Sequence, residues 1–181
     1  MPDAALSKAI SEAADQIHDE WRQEYRAANG DKPRWKPLNA ASEAWINEMR
    51  QTRQDAPVPE TALRTNPQTG KKEIDIAGLP NRLLPPQHSG ENTAAAAGAI
   101  EAIIASPDAD LEAIAATLHD QWVARNSSWV PDNMKVPYAE LPENEKEKDR
   151  AIARVAAAAA FGRRLAPPGA LDFAHDDAKP A

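Results

Sequence analysis

Along the first part of the chain, apolar residues recur at three- and four-residue steps: Leu6, Ile10, Ala13, Ala14, Ile17, Trp21 and Tyr25. That spacing predicts one long amphipathic helix. Pro2 and Asp3 open it, where a proline and an acid suit the free amides of a first turn. Asn29-Gly30 closes it by supplying a left-handed residue. Lys32-Pro33-Arg34-Trp35-Lys36-Pro37 cannot be helical. A short helix is predicted over 40–53, capped by Asn39, with Trp45, Ile46 and Met49 inward. From 55 to 90 the chain is rich in Pro, Asn, Thr and Gly, a long loop of the kind that is functional or poorly ordered. Inside it, Lys72-Glu73-Ile74-Asp75-Ile76 alternates like a half-buried strand, and Leu83-Leu84-Pro85-Pro86 forms an extended corner.

The second part reads similarly. An alanine-rich helix is expected over 91–105, stopped by Ser106-Pro107, which also cap the next helix. Leu111, Ile114, Leu118 and Trp122 form that helix's apolar face. Lys135-Val136-Pro137-Tyr138 is a predicted short strand. Leu141-Pro142 starts a last helix running to about Arg164, with Ile152, Val155 and Ala159 inward. Residues 166–181 are Pro, Gly, Asp and Ala in the main, and a disordered tail is expected. The class is α+β, mostly helical, with short strands and long loops.

The two halves align. Ile17-His18-Asp19-Glu20-Trp21 matches Leu118-His119-Asp120-Gln121-Trp122, Trp35-Lys36-Pro37 matches Trp129-Val130-Pro131, and Leu84-Pro85 matches Leu141-Pro142. Without a further gap, Asn92 falls on Asp149. Four matches in one order argue for duplication: a first repeat over 1–105 carrying an inserted helix and loop at about 39–80, and a second over 106–165. Such units are expected to pack as a pseudo-twofold pair.

Over 111–160 the second copy resembles the ryanodine receptor repeat (RyR) domain, found in pairs in calcium-release channels and free-standing in bacteria and phages. The family pattern is a helix ending in hydrophobic-His-acid-x-Trp, a Gly-Trp turn, a Lys and Pro stretch, and a Leu-Pro-Glu corner before a charged helix. Here these stand as LHDQW, SSW and MKVPYAELPENEKEKDR. Val130-Pro131 replaces the family's aromatic-Gly pair, and over 10–104 only the ends of the pattern remain. The resemblance implies tandem degenerate RyR-like repeats of bacterial or phage type, in an α+β fold with an approximate twofold axis. It also implies roles known for the family: regulatory modules with phosphorylated loops, a nucleotide site in one pair, and ligand sensing in defence systems.

Composition narrows the chemistry. With no cysteine in 181 residues, disulfides, thiolate catalysis and Cys-ligated zinc are excluded. A net charge of −7 argues against nucleic acid as the partner, though not against one small phosphorylated ligand. No apolar run approaches the roughly 20 residues of a membrane span, and the acidic N-terminus does not read as a signal peptide. A cytoplasmic protein without membrane, metal or cofactor is expected.

Trp35 and Trp129 are the leading ligand candidates, each on a turn beside a proline and near lysines, Lys36 and Lys135 among them. A flat ring next to a cation can hold a base and its phosphate; the alternative is that each indole plugs its own small core. The neutral helix start containing Ser89 and Asn92 is suited to a phosphate on free backbone amides. Arg150 is a further candidate, within a charged segment whose simplest reading is a solvated, internally ion-paired face. His18 and His119 read as structural groups bonded to backbone, and Trp21 and Trp122 as core. No hydrolase, P-loop or dinucleotide motif occurs, so no catalytic residue is assigned. The expectation is a non-enzymatic protein that senses or sequesters a nucleotide-type ligand. The alternative is a protein-interaction module using the 55–90 loop or the charged last helix, and an enzyme acting on nucleotide derivatives comes last.

Overall fold

A computed structural model describes residues 3–52 and 57–165. Its contacts divide the chain into two units that part between Ala94 and Ala95. The described residues are mostly helical with one small sheet, the α+β class that the patterning predicts.

The first unit begins with α1 (Asp3–Asn29), which buries Ala9, Ala13, Ala14 and His18 along one stripe. Gly30, at φ 67°, ends it, its N–H reaching Arg26 O. Strand β1 (Trp35–Pro37) precedes α2 (Ala40–Thr52), and Asn39 caps α2 through Ser42 N–H at 2.8 Å. After a 3-10 turn at Glu60–Ala62 come β2 (Leu63–Thr65) and β3 (Lys72–Asp75). The sheet is antiparallel with β3 in the centre, order β1-β3-β2. Leu38, Ile46, Val58, Ile74, Leu79 and Leu84 form the core between α2 and one sheet face. The 55–90 stretch is therefore largely built into sheet and core over its described part. Helix α3 (Pro86–Ala105) begins five positions ahead of the expected Glu91, because a proline is well suited to the first helical position.

In the second unit, α4 (Leu111–Asn126) packs along α5 (Glu143–Phe161). The cap of α4 is Asp110, which accepts from Ala113 N–H, rather than Ser106. The expected strand at 135–138 is absent: 3-10 turns at Asp132–Met134 and Tyr138–Glu140 occupy this stretch. The reason lies in the pairing. In the first unit β1 is a strand because β3 pairs with it. Among the described residues the second unit has no strand to pair with this stretch, and a lone short segment has no partner for its main-chain groups. Tyr138, Leu141 and Ala115 close a small core there. No helix of the described residues is long and apolar enough to cross a membrane. The tail expected at 166–181 lies outside the described residues.

Candidate functional site

The two matched histidines sit in matching surroundings. His18 Nε2 lies 3.0 Å from Ile76 O and 3.1 Å from Leu79 O. Carbonyls only accept, so Nε2 carries the proton, and Nδ1 then accepts from Asn92 Nδ2–H at 3.3 Å. His119 Nε2 likewise donates to Val136 O at 2.9 Å, and its Nδ1 faces Asp149 Oδ2 at 3.9 Å. Each histidine thus fastens its helix to the turn ahead of the Leu-Pro corner. Burial holds His18 below the usual histidine pKa, and its two carbonyl partners only partly offset this. Burial also raises the Asp149 carboxyl to about 6, opposed by His119.

These fixings use one of the candidates. Asn92 donates to Asn81 Oδ1 as well as to His18, so its amide serves the fold. Lys36 is separated from Trp35 by the strand itself, since consecutive strand residues face opposite sides of the sheet. The cation over the Trp35 ring is instead Arg64, 4.4 Å from its centroid and ion-paired to Glu73 at 2.6 Å. Sequence reasoning missed Arg64 because its nearness depends on the β2–β3 pairing.

In the second unit Trp129 is 62% exposed, so it does not plug a core. Its indole N–H donates to Asn126 Oδ1, and it meets Trp122 edge-on at 5.8 Å. Lys135 pairs with Asp132 at 3.2 Å. Arg150 departs from the solvated face expected of it. It binds Glu112 of α4 through Nε and Nη2 at 2.5 and 3.2 Å, and also Glu143 and Glu147. Tyr138 O–H donates to the same Glu112 at 3.0 Å. Hydrogen bonding from Arg150 holds Glu112 below the usual carboxylate range. Burial first, and then Glu112, push Tyr138 up to about 12. This network joins α4 to α5 and the turn before it, so its arginine is already committed. A rapid pH-jump titration of the Tyr25→Phe protein, followed by phenolate absorbance, is expected to give a midpoint near 12. Adding Glu112→Gln is expected to bring that midpoint down. Trp21 and Trp122, expected in the core, are half-buried. Trp21 stacks between His18 and Tyr25, with Arg34 over it.

One candidate, Ser89, lies in a concave place. A groove of about 450 Å³ in the first unit is lined by Ser7, Ile10, Ser11 and Ala14 of α1, one helical face, and by Trp45 of α2. Asn81, Arg82 and Leu84 of the corner, with Pro86, Ser89 and Thr93 of α3, complete it. Ser89 and Thr93 spend their hydroxyl protons on Pro85 O and Ser89 O, so their oxygens remain as acceptors. Ser7 and Ser11 are exposed, and their hydroxyls have no hydrogen-bond partner among the described residues. Arg82 is held by Asp15, from its main-chain N–H at 2.8 Å and from Nη1 at 3.1 Å, with its side chain 58% exposed. The start of α3 is partly committed: Pro86 has no N–H, and the amides of His88 and Ser89 return to Pro85 O. Of these residues, Trp45 is legible in the sequence as an inward aromatic of α2 and Ser89 as part of a helix start. Arg82, Ser7 and Ser11 left no trace, the two serines lying exposed beside the buried stripe of α1. Among the described residues, no group of three His, Asp or Glu side chains is placed to hold a metal ion. No family model, no curated protein and no solved structure matches the chain.

Proposed function

We propose that the first unit binds a small ring-bearing phosphate monoester of the nucleotide type, in the groove walled by Trp45, and that the protein senses or sequesters this ligand in the cytoplasm. One juxtaposition carries the reading: an indole, a single guanidinium and two unpartnered serine hydroxyls around a space of about 450 Å³. Small-molecule pockets commonly occupy roughly 300–1,000 Å³, with an apolar or aromatic wall and a few polar groups that orient the ligand. The indole supplies a stacking surface, Arg82 a partner for the phosphate, and Ser7 and Ser11 supply bonds to a sugar. Because Arg82 shares its charge with Asp15, the site suits one phosphate rather than a pyrophosphate. We further take residues 1–105 and 106–165 as degenerate copies of one RyR-like repeat, a reading supported by the order of the matched residues and by the parallel anchoring of His18 and His119.

A thermal-shift series tests the ligand class. At about ten times the dissociation constant, a ligand adds roughly 1.4 kcal/mol, which for a chain of this size raises Tm by about 3–5 °C. Nucleoside monophosphates are expected to do this at millimolar concentration, and the unphosphorylated nucleosides to do markedly less. Equal shifts from both sets, or none from either, would count against the site.

A further inference from the structure

The groove walled by Trp45 has one buried polar lining group, Asn81, whose orientation is fixed by a row of bonds that begins at His18. His18 Nε2 faces two carbonyl oxygens, Ile76 O at 3.0 Å and Leu79 O at 3.1 Å, so Nε2 carries the ring proton and Nδ1 can only accept. Burial disfavours the charged ring and keeps it in that state. The Asn92 atom 3.3 Å from Nδ1 must therefore donate, which makes it Nδ2. The same Nδ2 lies 3.0 Å from the Asn81 side chain, so the atom it meets there must accept, which makes that atom Oδ1. The free end of the row is the Asn81 NH2 group, which carries two donors.

Asn81 is only 5% exposed, and it lines the groove. Its Nδ2 has no hydrogen-bond partner among the described residues. It is not sealed from solvent either, unlike the buried and unpartnered Gln121 Oε1 and Arg163 Nε. Donors of a buried side chain therefore open on the groove unspent, and an acceptor on a ligand there recovers the free energy that an unpaired buried donor costs. The lining is graded by depth. Arg82, with its side chain 58% exposed, stands at the rim, and Asn81 at the floor. A ring-bearing phosphate ester with its phosphate at Arg82 brings a ring edge to Asn81.

We propose that Asn81 determines which ring the groove takes: one that presents a carbonyl oxygen, rather than an amino group, to the Asn81 amide. This role rests on the nucleotide-type reading of the groove, to which it adds the class of base. A 6-oxopurine or a 4-oxopyrimidine sets an acceptor opposite the amide donors, whereas the corresponding amino base sets donor against donor. A site that offers a buried hydrogen-bonding group discriminates in this way because the wrong ligand leaves that group unpaired. The competing explanation is an amide that only holds water.

The test is calorimetric titration of the full chain at pH 8 with inosine monophosphate and adenosine monophosphate, which exchange an oxo for an amino group on one ring. Inosine monophosphate is expected to bind about tenfold more tightly, while adenosine monophosphate still binds through the contacts that the two share. Uridine and cytidine monophosphates repeat the exchange on a smaller ring, with uridine monophosphate expected to bind more tightly. In Asn81→Asp one carboxylate oxygen keeps the bond from Asn92, and the other replaces the donors by an acceptor, so the order is expected to reverse. If that variant does not fold, the two comparisons on the unaltered protein decide. Equal binding of oxo and amino ligands, or an unchanged order in folded Asn81→Asp, overturns the role of Asn81 and leaves the groove a nucleotide-type site. No binding of any of the four overturns both.

Discussion

Replacing His18 by alanine lowers the unfolding free energy by about 3 kcal/mol. The substitution removes one side chain but takes a hydrogen-bond partner from three polar groups: Ile76 O, Leu79 O and the Asn92 amide, which keeps its bond to Asn81. A buried group deprived of its partner costs roughly 1–3 kcal/mol, and the three do not add fully because water enters the space. The lost stack against Trp21, at 5.2 Å and 23°, adds to the effect. For a chain of this length the expected fall in Tm is about 6–12 °C, read by calorimetry. A fall of less than about 1 kcal/mol would mean that His18 does not anchor α1 to the 76–79 turn. His119→Ala is expected to cost less, because its ring makes one main-chain bond where His18 makes two.

Asp149→Asn is expected to raise stability at pH 7.5. In the folded state the Asp149 carboxyl titrates near 6 against an ordinary 3.8, and burial is the main cause. A raised carboxyl pKa means that folding works against the ionised form. Between 3.8 and 6 the folded chain keeps a proton that the unfolded chain has released, so this group makes stability fall as pH rises. Above 6 the penalty is complete: 6 less 3.8 is about 2 pKa units, or about 3 kcal/mol at 1.36 kcal/mol per unit. Asparagine removes it and supplies an N–H toward His119, as Asn92 does toward His18. The expected gain over wild type is about 2–3 kcal/mol above pH 7. It shrinks as pH falls from 6, and is gone below 3.8. Calorimetry of both proteins across this range isolates the effect, since His18 contributes equally to each. A gain that does not vary with pH would assign it to something other than this carboxyl.

The elements legible in the sequence are those set by local physics. The α1 stripe, the Asn39 cap and the Gly30 terminus each need only neighbours in the chain, and each is found. Three-residue strands depend on what pairs with them: β1 and β2 were not foreseen, and a strand was expected at 135–138 where no partner exists. The candidate site shows the same division. Trp35 and Lys36 are adjacent in sequence yet lie on opposite sides of a sheet, while Arg64 comes over the ring from another strand. Arg150, surrounded by carboxylates in its own helix, is directed inward by Glu112 of α4, which no local pattern marks. Ser89 is legible only as part of a helix start, yet it lines a groove whose indole and guanidinium come from elsewhere in the first unit.

That groove is tested most directly by calorimetric titration of the full chain with adenosine monophosphate, comparing wild type with Arg82→Gln. The Arg82 side chain is mostly exposed, and Asp15 keeps its bond from the main-chain N–H of position 82, so the variant is expected to fold with a Tm close to wild type. Saturable binding by the wild type, weakened about tenfold or more in the variant, corresponds to the roughly 1.4 kcal/mol or more that a charge-assisted phosphate contact contributes. Equal binding by both proteins, or no binding by the wild type at millimolar ligand, would contradict a phosphate-bearing ligand at this site.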